Sequence, residues 1–85
     1  MNIFVVIPAY NEEERIRQVL DDLSLLPYKI VVVDDASVDK TSEIVATYPN
    51  VVLLRHRLNR DQGAALQTGN QYALARGADL IVHFD

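Results

Sequence analysis

Four short apolar runs, rich in β-branched residues, recur along the 85-residue chain: Ile3–Ile7, Ile30–Val33, Val51–Leu54 and Leu80–Phe84. Their length and spacing restrict the fold more than any other feature. Each run reads as a strand, and the unbroken first and second runs as strands buried on both faces. After the first run, Ile16, Val19, Leu20 and Leu23 recur at helical spacing, so residues 12–25 read as an amphipathic helix. Pro8 stops the first strand, Asn11 with Glu14 resembles a capping box, and Pro27 closes the helix. A polar loop from Asp34 to Lys40 leads into a short helix ending near Thr47, with Ser37 or Asp39 as its cap. Pro49-Asn50 turns the chain into the third strand. A basic stretch, Arg55 to Gln62, then precedes a small-residue-rich helix from Gln62 to Ala75, ended by Gly77.

The order is βαβαβαβ. Strands alternating with helices imply right-handed crossovers, hence a three-layer α/β/α domain with a parallel four-stranded sheet and helices on both faces. In such sheets, ligands bind beyond the carboxyl ends of the strands, where the topology reverses. The loops after the first, second and fourth strands carry Pro8-Ala9-Tyr10-Asn11-Glu12, Asp34-Asp35-Ala36-Ser37 and Asp85. The conspicuous polar residues therefore gather on one edge of the sheet.

Composition narrows the function classes. Hydrophobic residues make up 49% of the chain, enough to bury a core. A net charge of −4 argues against nucleic-acid binding. With no cysteine there is neither a disulfide nor a thiolate metal site. The opening run is far too short for a signal-peptide core or a membrane span. A cytoplasmic setting and no membrane contact from these residues are expected. Neither GxGxxG nor GxxxxGK[ST] occurs, so phosphate must be held by a metal or by basic side chains.

The candidate residues each admit a plain reading beside a functional one. Asp34, at a strand end, is expected to bond nearby backbone N–H groups. Asp35 is placed to accept an imide N–H from a uracil or guanine ring. The adjacent aspartates also suit a phosphoacceptor receiver domain, but there the pair follows the first strand. Tyr10 offers a ring for stacking on a base, or packs under the sheet edge. Glu13 and Glu14 suit a helix N-terminus. Arg55, His56, Arg57 and Arg60 form either a solvated face or a counter-charge for an anionic ligand. His83, inside an apolar strand, reads as packed and hydrogen-bonded. Asp85, ending "LIVHFD", suggests a carboxylate for Mg²⁺ or Mn²⁺, which take oxygen ligands.

Together "VVIPAYNEEERI", "IVVVDDASVDKT", "NRDQGAALQTG" and "GADLIVHFD" resemble the GT-A-fold glycosyltransferases. The likeness is to the large inverting family that includes dolichyl-phosphate mannosyltransferase and polyprenyl-phosphate glycosyltransferases. It covers nearly the whole chain, and the four motifs are specific as an ordered set.

The resemblance implies a Rossmann-like nucleotide-binding half of a GT-A fold, with strand order 3-2-1-4. It implies a UDP- or GDP-linked sugar donor, held by Pro8, Ala9, Tyr10, Glu12, Val33 and Asp35. A divalent metal, Mg or Mn, would be bound by Asp85 as the first Asp of an Asp-x-Asp motif. No catalytic residue falls within residues 1–85; the base, the second metal Asp and the acceptor site are expected beyond Asp85. The 85 residues are then expected to be one truncated nucleotide-sugar-binding domain, inactive alone, with the parent expected on the cytosolic face of a membrane. The alternative is a free-standing α/β signalling or interaction domain with an acidic Mg-binding pocket. A fourth strand left unpaired predicts a homodimer through that edge. The chain departs from the family pattern twice. Ala36 stands where the family usually has Gly, and Asp61-Gln62 stands where it often has Gly-Lys.

Overall fold

A computed structural model describes residues 1–84; Asp85 lies outside the described residues. The elements are β1 (Ile3–Ala9), α1 (Ile16–Leu23), β2 (Lys29–Asp34), α2 (Thr41–Val45), β3 (Val51–Arg55), α3 (Gln62–Ala75) and β4 (Leu80–His83). The four strands form one parallel sheet in the order β3-β2-β1-β4. The chain moves outward from β1 to β2 and β3, then crosses back to place β4 on the other side of β1. Right-handed crossovers running in opposite directions put their helices on opposite faces.

Side-chain alternation divides the core accordingly. Val5, Ile7, Ala9, Ile30 and Val32 pack with Ile16 and Leu20 of α1 and Val45 of α2. Phe4, Val6, Val31 and Val33 pack with Ala65 and Ala73 of α3 on the other face. Each fully buried Val or Leu contributes about 1.5–3 kcal/mol relative to exposure. Helix α3 lies unusually close to the sheet: a Cβ added at Gly69 would stand 2.2 Å from a Val6 methyl. Its small residues are thus a packing requirement.

Several boundaries differ from the sequence expectation, each for a visible reason. Strand β1 continues through Pro8 to Ala9 instead of stopping at Ile7. Asp35 N–H donates to Ala9 O on the β2 side, while Phe84 N–H donates to Val6 O on the β4 side. By that alternation Pro8 would next donate toward β4, beyond His83, where the ladder has ended. Helix α1 begins at Ile16, because Glu12–Arg15 forms a separate turn with Glu12 O accepting from Arg15 and Ile16 N–H. Asn11 does not build a capping box. Its φ is +52°, and its side chain accepts from Val38 N–H at 3.0 Å, across to the next loop. Helix α2 begins at Thr41, with Asp39 Oδ1 accepting from Thr41 N–H at 2.9 Å; Ser37 bonds Asp34 instead.

Candidate functional site

Two loops at the carboxyl edge of the sheet are laced together. Asn11 N–H donates to Ser37 Oγ at 2.8 Å, Glu12 N–H to Thr41 Oγ1 at 2.9 Å, and Glu13 N–H to Asp39 Oδ2 at 3.2 Å. Serine, threonine and aspartate of the β2–α2 loop thereby satisfy backbone donors that the late start of α1 leaves open. This lacing holds residues 8–12 against the end of β2.

Above it lies a cleft of about 240 Å³, lined by Pro8, Ala9, Tyr10, Glu12, Arg15, Asp35, Gln62 and Ala65. A smaller hollow of about 80 Å³ shares Pro8, Ala9, Glu12 and Arg15 and reaches Phe84. Five sequence candidates, Pro8, Ala9, Tyr10, Glu12 and Asp35, therefore converge on one cavity. Val33 does not line it; the side chain is fully buried against α3. Tyr10 is 48% exposed, so it is not packed under the sheet edge, and its ring is free to stack. Arg15 and Ala65 line the cleft without having been singled out in the sequence, and Gln62, one of the departures from the family pattern, lines it as well. Arg15 Nη2 lies 2.5 Å from Glu12 Oε2, one helical step away, and the side chain is 74% exposed.

The two adjacent aspartates have different tasks. Asp34 is fully buried, and its Oδ1 accepts from the N–H of Ser37, as its place at a strand end implied, and from the Ser37 hydroxyl. Its Oδ2 makes no hydrogen bond but lies 3.3 Å from Arg55 Nε. Asp35 holds the β3–α3 loop. Its Oδ1 lies 2.7 Å from His56 Nδ1 and accepts from Arg60 N–H at 3.0 Å. Its Oδ2 accepts from Asp61 N–H at 2.9 Å, while Asn59 donates to the Asp35 carbonyl at 3.2 Å. Burial alone would raise the Asp35 pKa. The His56 hydrogen bond, the N–H groups of Arg60 and Asp61, and the His56 charge outweigh it and hold the carboxyl below 3.8.

The basic cluster consequently splits. Arg57 and Arg60 are exposed, Arg55 pairs with Asp34, and His56 is an internal link between Asp35 and Thr68. His83 is hydrogen-bonded, to Asn70 Oδ1 at 2.8 Å, but is exposed rather than packed.

The model of glycosyl transferase family 2 matches residues 4–85. This chain belongs to glycosyl transferase family 2. An uncharacterised protein of Methanocaldococcus jannaschii is 52% identical over 84 residues, covering 98% of this chain and 34% of that protein. The UDP-N-acetylglucosamine–dolichyl-phosphate N-acetylglucosaminyltransferase of Methanococcus voltae is 34% identical over 100 residues, 98% of this chain and 40% of that enzyme. The dolichyl-phosphate beta-glucosyltransferase of Dictyostelium discoideum is 32% identical over 102 residues, 94% of this chain and 31% of that enzyme. The chain spans roughly a third of the length of the curated relatives it matches.

Family 2 membership and the 3-2-1-4 parallel sheet agree with the GT-A, Rossmann-like fold expected from the motifs. The cleft lies beyond the carboxyl ends of β1 and β2, next to the β1–β4 boundary where the topology reverses. As a family 2 metal site the described residues are incomplete. Both aspartates of the pair are engaged by Ser37, Arg55, His56 and the loop amides, and Glu12 is paired with Arg15. No cluster of three or more metal-ligating side chains occurs among the described residues. Asp85, the expected metal carboxylate, lies outside the described residues. No helix among the described residues is long and apolar enough to cross a membrane.

Proposed function

We propose that this chain is the donor-binding part of an inverting glycosyltransferase that moves a sugar from a nucleoside diphosphate to a lipid-phosphate acceptor. The observation that carries this reading is the convergence of Pro8, Ala9, Tyr10, Glu12 and Asp35 on one cleft at the carboxyl edge of the sheet in a family 2 fold. Relatives named as dolichyl-phosphate and undecaprenyl-phosphate sugar transferases favour the lipid-phosphate acceptor. In this reading the half-exposed Tyr10 ring stacks on the base, and Asp35 accepts from the imide N–H of uracil or guanine. Arg15 turns from Glu12 toward the diphosphate. A bound Mg²⁺ or Mn²⁺ would rest on Asp85 and the diphosphate oxygens, since the described residues supply no site of their own. The residues that activate the acceptor are assigned to other parts of the parent, so the 85 residues alone bind donor without turning it over.

Calorimetry with UDP and GDP tests the reading. Binding of one of them, weakened roughly tenfold by Tyr10→Ala, is expected from the ~1–3 kcal/mol of base stacking. The exposure of Tyr10 means the variant should melt like the parent chain. Equal affinity in both proteins would remove Tyr10 from the site, and no binding of either nucleotide would refute the proposal.

A further inference from the structure

Asp34 and Arg55 are register partners in the β2–β3 ladder, and His56 N–H extends it to Asp34 O at 2.9 Å. Asp35 and His56 are therefore the next residues on neighbouring strands. By alternation they face the same side as Val33 and Leu54, the side covered by α3. There His56 Nε2 meets Thr68 Oγ1 at 2.8 Å, on the turn of α3 that Gly69 presses against Val6.

A carboxylate has about four acceptor positions. On Asp35, Oδ1 is filled by His56 Nδ1 and Arg60 N–H. Oδ2 takes Asp61 N–H, with the Arg60 N–H only shared to it at 3.2 Å, and keeps one position. Because a carboxylate only accepts, the hydrogen of the neutral His56 ring sits on Nδ1, and in that form Nε2 accepts from the Thr68 hydroxyl. The ring is held at both ends and cannot flip without breaking both bonds.

We propose that His56 is a positioning residue of the nucleotide site: anchored by Thr68, it occupies Asp35 Oδ1 and leaves Oδ2 as the single acceptor that reads an imide N–H of the base. The inference rests on the nucleotide-binding reading above. Its chemical consequence is selectivity. Uracil and guanine present a ring N–H on that edge, whereas cytosine and adenine present a ring acceptor.

The test compares UDP or GDP, whichever binds, with its imide-methylated analogue, 3-methyluridine or 1-methylguanosine diphosphate. Calorimetry is run on the unaltered chain, His56→Asn, His56→Leu and Thr68→Val, at a temperature where melting curves show each folded. The unaltered chain should prefer the unmethylated nucleotide by about tenfold or more, the usual worth of a hydrogen bond to a charged acceptor. His56→Asn, whose amide nitrogen takes the place of Nδ1, should keep most of that preference. His56→Leu should compress it to about threefold or less, an effect that mere loss of stability would not produce. A folded His56→Leu that retains the full preference overturns the inference and leaves the nucleotide reading standing. An unaltered chain that binds no nucleotide overturns both. If His56→Leu does not fold, Thr68→Val carries the test: a reduced preference supports the inference and an unchanged one refutes it.

Discussion

Ala36 and Asp61 both adjoin Asp35, one along the chain and one through a hydrogen bond, and both have backbones that favour glycine, with φ of +65° and +139°. Ala36 follows Asp35 in the chain, and Asp61 donates its N–H to Asp35 Oδ2. These are also the two positions where this chain departs from a glycine that the family resemblance implies. Left-handed backbone costs a residue with a Cβ about 1–2 kcal/mol, and the extended positive-φ region of Asp61 costs about 1–3. Glycine gives back about 0.4–1 kcal/mol through the unfolded chain, and at Asp61 a few tenths more for the cap on Ala64 N–H. Ala36→Gly should thus stabilise by about 0.5 kcal/mol and Asp61→Gly by about 1. Urea denaturation of the single variants checks both. Lower midpoints would show that the surrounding contacts, rather than the backbone, set the energy there.

Gly69 should behave in the opposite way. Helix propensity favours Ala over Gly by about 1 kcal/mol. Here a Cβ meets Val6 Cγ1 at 2.2 Å and Val33 Cγ2 at 3.3 Å, both in the packed core. Gly69→Ala is expected to destabilise by about 1–3 kcal/mol through overpacking. A thermal midpoint equal to or above that of the parent chain would mean that α3 can shift away from the sheet at little cost.

Asp35 makes stability depend on acid. Its carboxyl titrates lower in the folded chain than its ordinary value of 3.8. A depressed carboxyl contributes stability above the unfolded value, and that contribution is lost as pH falls through 3.8 toward the folded pKa. Asp35→Asn also leaves N–H donors of the loop poorly matched, at about 1–3 kcal/mol. The variant should therefore be less stable than the parent chain near neutrality, with the gap closing below 3.8. Denaturant titrations at several pH values measure this. A gap that is constant with pH would detach the carboxylate charge from the loop.

Metal binding should require the nucleotide. The described residues offer no cluster of ligands, and a lone Asp85 cannot complete an oxygen shell for Mn²⁺. Mn²⁺ affinity, followed by electron paramagnetic resonance, should be weak for the chain alone and rise when UDP or GDP is present. Tight binding to the nucleotide-free chain, abolished in Asp85→Ala, would reveal a complete protein site.

Strand β4 predicts self-association. It lies at the sheet edge, with Leu80 49%, Val82 41% and Phe84 38% exposed. Its backbone is paired only to β1 among the described strands, so the outer edge can pair with another copy, most simply across a two-fold axis. Light scattering at high micromolar concentration should report a dimer, and Val82→Lys should shift it toward monomer. A monomeric parent chain would leave that edge without a role in self-association.

The sequence by itself determined the layered βαβαβαβ architecture, because unbroken β-branched runs and 3.6-residue periodicity are local signals of what each segment buries. Motif likeness extended this to the strand order and to most of the cleft, since residues just past strand ends fall on one edge of any parallel sheet. What tertiary structure alone decided are pairings between loops far apart in the chain. Asn11 gives up a cap to hold Val38, 27 residues away. Asp35 spends Oδ1 on His56, 21 residues away, and Arg15 enters the cleft only because Glu12–Arg15 forms its own turn. Val33, adjacent in sequence to the aspartate pair, is turned into the core by strand alternation. Hydrogen-bond partners of this kind depend on which loops the sheet order brings together, and no local pattern of residues encodes that distance.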